Sequence, residues 1–231
     1  MEYLIIISIL IAVLAVLAVI YDFNLKKLKE FAKNEENRLN HLTDKYPSNM
    51  EICKNILSKI NNNTVKVEED KNSKTCLYIA ITNKIIIADV KNSYTRIQTI
   101  AHECLHSIQN RKILLFNFIF SNIYILYFVA ITILGLLKFL PNKMVFLSIM
   151  LILSYIYYFI RSYLENDAMI KARFLAKEYM EDTKISEKEE IDTIILSYDK
   201  LNEIGVKATN YSLMFETIIK VIIVSIVFLI K

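Results

Sequence analysis

Glycine and proline are nearly absent from this chain, with two of each in 231 residues. That scarcity excludes a fold of many short strands joined by tight turns, which draws heavily on both residues, and favours long helices. Cysteine is also sparse. Cys53, Cys76 and Cys104 form neither a paired framework nor a CxxC motif, so they read as reduced thiols in a cytosolic setting. A strong excess of one charge is missing as well: the net charge is +4, and the lysines are dispersed among Glu and Asp. Nucleic-acid binding, which needs a clustered basic face, has no support. No internal repeat or low-complexity tract is present.

What is abundant is uncharged apolar sequence. Hydrophobic residues make up 55% of the chain, above the usual 45–50% or so of soluble domains. Four runs carry the excess. Tyr3 to Tyr21 has no charge, Ile113 to Leu137 is 25 residues without one, and Met144 to Ile160 is another 17. The last, Ser212 to Ile230, is apolar except for Glu216 and Lys220. A hydrocarbon core about 30 Å thick needs roughly 20 helical residues, so the expectation is four transmembrane helices. The third run reaches that length if Phe139–Leu140 or Tyr163–Leu164 take part at the interfaces. Lys220 lies one turn after Glu216, so the two can pair across one helix face, or Lys220 can snorkel toward the headgroups. The first run lacks the positive leading region of a signal peptide, and its lysines (Lys26, Lys27, Lys29) follow it. It therefore reads as an anchor with its body inside. Residues 21–112 carry 16 Lys and Arg and residues 161–211 carry 8, so one side of the bilayer holds 24 of 28. The positive-inside tendency makes that side cytoplasmic.

The expected organisation follows: a transmembrane anchor over 1–21, a cytoplasmic α+β segment over 22–112, a transmembrane hairpin over 113–160, a cytoplasmic helical segment over 161–211, and a final transmembrane helix over 212–231. Within 22–46, Leu25, Leu28, Phe31 and Ala32 recur at helical spacing until Tyr46-Pro47 breaks the run. Ser48 reads as the cap of a helix carrying Met50, Ile52, Cys53, Ile56, Leu57 and Ile60, ended by Asn61–Asn63. Val65 to Glu68, Leu77 to Ile81 and Lys84 to Ala88 read as strands, the last two joined as a hairpin at Thr82-Asn83. Asn92-Ser93 would cap a helix from about Tyr94 to Arg111. Residues 181–192 are charge-rich and read as a solvated helix or an exposed link.

The helix from about Tyr94 to Arg111 contains His102-Glu103-Cys104-Leu105-His106. Two histidines four apart lie about 40° from eclipsed at 3.6 residues per turn, so both imidazoles can reach one metal ion. Glu103, about 100° round from His102, is placed to address a water on that ion. The HExxH spacing thus points to zinc, with Glu103 as general base. A catalytic zinc usually has three protein ligands and an open position. The third candidate is Glu165. His106 precedes the membrane edge at Arg111-Lys112 by roughly 7–8 Å of helix, and Glu165 follows the edge at Ile160-Arg161 by a similar rise. Glu165 shares a helix face with Ala168 and Ala172, small enough for close packing. The bland alternative is an interfacial carboxylate paired with Arg161 or Lys171. Asp167, about 200° away, fits a supporting or capping role better. His41, the remaining histidine, reads as a solvated surface residue. Cys104 faces away from His102 and reads as packing. Tyr155, Tyr157 and Tyr158 read as an interfacial aromatic belt.

These residues resemble the bacterial YugP-type membrane zinc metallopeptidases. The likeness covers most of the chain and rests on Ala101-His102-Glu103-Cys104-Leu105-His106-Ser107-Ile108-Gln109, then a membrane hairpin, then Glu165-Asn166-Asp167-Ala168-Met169-Ile170-Lys171-Ala172. Leu105 stands where that family usually has Gly, and Lys171 where it has Arg. The Glu-x-x-Ala feature is shared with membrane peptidases of the HtpX and CAAX-processing type. The resemblance implies a His, His, Glu zinc set, one zinc ion per chain, with Glu103 as the base.

The expected fold is mainly α and integral to the membrane, with a small zincin-like α+β part on the cytoplasmic side. The expected activity is peptide hydrolysis on membrane-proximal or membrane-protein substrates, with the lipid bilayer as the other partner. The strand segment 77–88 is expected to hold an extended substrate at its edge, or else to be a simple core hairpin. The rival reading is a non-catalytic membrane scaffold that keeps a metal for structure. A channel or transporter is disfavoured because the spans hold almost no ionisable residues. Substrate identity and oligomeric state leave no mark in the sequence.

Overall fold

The computed structural model describes residues 1–23, 25–70, 72–73, 75–88 and 93–230, with the side chains of residues 25–28, 32 and 37 also outside the description. The expected helical role of Leu25, Leu28 and Ala32, and of Asn92 as a cap, falls on those undescribed parts. Among the described residues the chain is mainly helical with one small sheet. The helices are α1 (Glu2–Ile20), α2 (Leu25–Asp44), α3 (Asn49–Lys59), α4 (Arg96–Ile108), α5 (Arg111–Leu136), α6 (Lys143–Thr183) and α7 (Lys188–Leu229). The strands are β1 (Lys66–Asp70), β2 (Leu77–Ile79) and β3 (Lys84–Ala88). Two compact units emerge. One comprises Met1–Phe23, Leu115–Tyr163 and Lys207–Lys231, and the other Asn24–Leu114 and Leu164–Val206.

The first unit is apolar. Helices α1, α5, α6 and α7 are each long and apolar enough to cross a membrane, judged by length and composition. Many large apolar side chains, such as Ile9, Val16, Leu126 and Ile152, point outward, as expected of a surface meant for lipid. Backbone groups are satisfied within the helices, and hydroxyls follow suit: Ser8, Thr132, Ser148 and Ser225 each donate to the carbonyl four residues back. Gly135 marks a close approach, since a Cβ there would lie 2.8 Å from the Phe228 ring and 3.0 Å from Val227. Lys220 makes the expected pair across one helix face. It is bonded to Glu216 and sits 4.9 Å from the Tyr124 ring centroid and 5.6 Å from that of Tyr157. Tyr157 corrects the aromatic-belt expectation: it is buried and stacked on Tyr124 at 4.8 Å, whereas Tyr155 is exposed. Sequence periodicity could not separate the two, because the partner ring comes from another helix.

The second unit holds the sheet and the histidines. Strand order is β1-β3-β2, with β3 parallel to β1 and antiparallel to β2. The expected hairpin is present, and Asn83 takes the positive φ of 48° that its turn needs. β1 begins one residue later than expected and extends to Asp70. Only β3 is central, and its Ile85 and Ile87 are fully buried, while β1 is largely exposed. Helix α3 starts where expected, its Ser48 side chain accepting from the Glu51 amide. Its Ile52, Cys53, Ile56 and Leu57 join Ile97, Ile100, Ala101 and Cys104 of α4 in one core. The i, i+3, i+4, i+7 spacing on α4 produces that face directly. Arg96 is fully buried at the start of α4 and donates to the carbonyls of Tyr46 and Pro47, which fastens the α2–α3 connection. Tyr198 donates to the Tyr94 carbonyl at 2.6 Å and fixes the entry to the same helix.

One boundary matters for function. The expectation ran α4 on to Arg111, but it stops at Ile108. Gln109 is extended (φ −63°, ψ 160°), and Asn110 accepts from the Lys112 amide to begin α5. Asn110 competes for the backbone by capping the next helix, the ordinary reason an asparagine ends one helix and opens another. The charge-rich stretch 181–192 resolves into the end of α6, a short link, and the start of α7.

Candidate metal centre

Helix α4 presents His102 and His106 from successive turns. Their rings meet edge to face with centroids 4.5 Å apart, and their Nε2 atoms lie 3.0 Å apart. Glu165 arrives on α6, with Oε2 3.5 Å from His102 Nε2 and 3.6 Å from His106 Nε2. All three side chains are mostly buried, and their ligand atoms lie within 4.8 Å of one another. Ala168, Ala172 and Ala176 follow Glu165 along α6 and are buried in the core that holds the inner face of α4. Their small size lets α6 settle there without displacing the Ile and Cys side chains.

These distances fit a metal ion. Four ligands placed tetrahedrally at about 2.0–2.1 Å from a zinc ion are roughly 3.3–3.4 Å apart. The observed separations of 3.0, 3.5 and 3.6 Å bracket that value. Two imidazole nitrogens and a carboxylate oxygen turned toward one point also form a donor set suited to a divalent transition metal.

Hydrogen bonds determine which nitrogen of His106 faces that point. The Gln109 amide nitrogen donates to the Leu164 carbonyl at 2.8 Å and to Asp167 Oδ2 at 3.0 Å. Both partners are acceptors, so the amide oxygen must be the atom 2.9 Å from His106 Nδ1. An amide oxygen only accepts, so Nδ1 carries a proton, and in the neutral ring Nε2 is the bare lone pair. Asp167, which in turn pairs with Lys171, therefore takes a supporting position and not a place among the converging atoms.

Glu103 sits just outside the three. It is buried, and its Oε2 accepts from the backbone amide of Tyr78 at 2.7 Å. Tyr78 lies on β2, an edge strand, and its amide is turned outward to α4. Burial pushes the Glu103 carboxyl above its ordinary range; the charges of His102 and His106 and the Tyr78 amide oppose this without cancelling it. At His106 burial is the largest influence and favours the neutral ring, but the Glu165 carboxylate, the Gln109 hydrogen bond and the Glu103 charge together outweigh it and the net displacement is upward.

Each residue singled out by its spacing has a definite place. His102, His106 and Glu165 come together, Glu103 lies beside them, and His41 is exposed on α2. The two groups not anticipated are Gln109 and the Tyr78 amide. Gln109 could have been found, since residues 102, 106 and 109 continue one helical stripe. The Tyr78 amide carries no side-chain signal at all.

Cys104 faces the opposite way, as expected. Its Sγ lies 3.7 Å from that of Cys53, and both thiols are fully buried. Burial raises the Cys104 thiol well above its usual value and brings Cys76 to about 11. Because the thiolate is the reactive form, Cys76 and Cys104 should not alkylate with iodoacetamide at pH 8 in the folded protein, nor should Cys53, which is sealed from solvent, and all three should after denaturation. Intact-mass spectrometry reads both states, and modification of Cys53 or Cys104 before unfolding would contradict the dry packing.

Compared with family models, curated proteins and solved structures, the chain finds no match in any of the three.

Proposed function

We propose that this chain is a membrane-embedded zinc metallopeptidase of the kind its motifs resemble. The observation that supports this most is the convergence of His102, His106 and Glu165 with a buried Glu103 beside them. His102, His106 and Glu165 would hold the ion. When bound, zinc polarises a carbonyl and makes water a competent nucleophile near neutral pH. The remaining steps belong to the protein. With one Glu103 oxygen engaged by the Tyr78 amide, the other accepts the proton of the attacking water and later delivers it to the leaving amide nitrogen. Strand β2, beside that carboxylate, is the surface on which an extended substrate would pair. The three-residue set also favours catalysis over a structural metal, which takes four protein ligands; among the described residues the cluster has three members.

The distribution of Lys and Arg supports a cytoplasmic site, and Arg111-Lys112 next to α4 supports a position outside the hydrocarbon. Membrane-proximal segments of membrane proteins are therefore the proposed substrates. The test is to purify the chain in detergent, measure its zinc, and follow hydrolysis of an unfolded protein such as casein and of a denatured membrane protein. One zinc per chain is expected, with cleavage abolished by 1,10-phenanthroline and restored by zinc. A zinc-loaded, folded protein that cleaves neither substrate would favour the scaffold reading instead.

A further inference from the structure

Beyond the three converging ligands and their base, the motifs also carry Gln109, Asp167 and Lys171. The structure joins them in a single chain of bonds. Lys171 pairs with Asp167, Asp167 accepts from the Gln109 amide nitrogen, and the Gln109 amide oxygen accepts from His106 Nδ1. Gln109 also donates to the backbone carbonyl of Leu164, the residue immediately before Glu165.

We propose that Gln109 is a positioning residue that sets the tautomer of His106 and ties the His106 end of α4 to the segment of α6 that carries Glu165. This rests on the metal-centre reading for its purpose, though not for its geometry. Four facts carry it. Helix α4 ends at Ile108, which releases Gln109 into an extended backbone so that its side chain can fold back over His106. All the polar atoms of its amide are engaged, and both donors go to acceptors, so a flip would lose the bonds to Leu164 and Asp167 and set the amide oxygen against two acceptors. The proton on His106 is thereby held at Nδ1, which turns the Nε2 lone pair toward His102 and Glu165. Finally, two of the three bonds end on Leu164 and Asp167, which flank Glu165 in sequence. A displacement of His106 therefore moves against the carboxylate's own helix. Gln109 thereby links the ring of one converging residue to the backbone immediately before another.

The test uses the full chain in detergent, without metal, labelled with 15N in its histidines. The chain has three histidines, so His41→Gln and His102→Gln assign the spectrum. At a pH where His106 is neutral, wild type should show an Nδ1–H, Nε2-bare signature for His106. Gln109→Leu should shift His106 toward the Nε2–H form and weaken cobalt binding by about 10- to 100-fold, as loss of an outer partner does. The combined Gln109→Glu, Asp167→Asn change keeps an acceptor for Nδ1 and a donor–acceptor link between the two positions while giving up the bond to the Leu164 carbonyl, so it should restore the wild-type His106 signature. It also serves if Gln109→Leu fails to fold. An unchanged His106 signature and unchanged cobalt affinity in Gln109→Leu would overturn the proposal while leaving the metal centre standing. A wild type with the Nδ1–H signature but no cobalt binding would instead sink the metal centre and leave the tautomer assignment intact.

Discussion

Glu103→Gln should lower kcat/KM for peptide hydrolysis by about 10²- to 10⁴-fold, the usual contribution of a positioned acid–base group, while zinc stays at the wild-type ratio. Glutamine has the same shape, and its side-chain oxygen can still accept from the Tyr78 amide that now holds Glu103 Oε2. What it cannot do is take a proton. The substitution also removes a carboxyl whose ionisation is opposed chiefly by burial, so thermal stability should hold or rise slightly. Three readouts on one variant separate the roles: hydrolysis, zinc content and melting temperature. Retained hydrolysis would remove Glu103 as the base. Joint loss of zinc and stability would make it a structural residue.

Glu165→Ala should cost the metal itself. Apparent zinc binding in four-ligand sites amounts to roughly 10–16 kcal/mol, or about 3–4 kcal/mol per ligand, which corresponds to about 10²- to 10³-fold in affinity. The Glu165 carboxylate stands 3.5 and 3.6 Å from the two imidazole nitrogens, and among the described residues it is the one carboxylate in the cluster. His106→Ala should behave alike. Asp167→Ala should lose less, about 10- to 100-fold at most, because Asp167 reaches His106 only through Gln109. Competition with a chelator of known affinity ranks the three. If Asp167→Ala were as damaging as Glu165→Ala, the assignment of supporting and direct roles would be reversed.

Part of this was legible in the residues before any fold was known. Helical spacing places His102 and His106 on one side, and two apolar segments of spanning length lie between them and Glu165. Ser48 and Asn83 announce themselves because capping and left-handed turns depend on local chemistry. The rest depends on partners distant in sequence. The break at Gln109 arises because Asn110 caps the next helix, and the apolar periodicity runs through it unchanged. The Tyr78 amide bond to Glu103 joins groups 25 residues apart through a main-chain atom. The parallel pairing of β1 with β3 and the burial of Tyr157 under Tyr124 are equally invisible to local pattern.

Lys220 has a consequence for how the protein is made. It lies near the middle of the last apolar segment, and a lone lysine there costs roughly 2.5–3.5 kcal/mol at insertion. Its ion-pair partner Glu216 comes from the same helix, but the two rings beside it, Tyr124 and Tyr157, come from α5 and α6. Those helices are synthesised first. On the proposed membrane reading this segment would enter a bilayer least readily on its own and most readily against neighbours already in place, so the order of synthesis would match the order in which its charge can be sheltered.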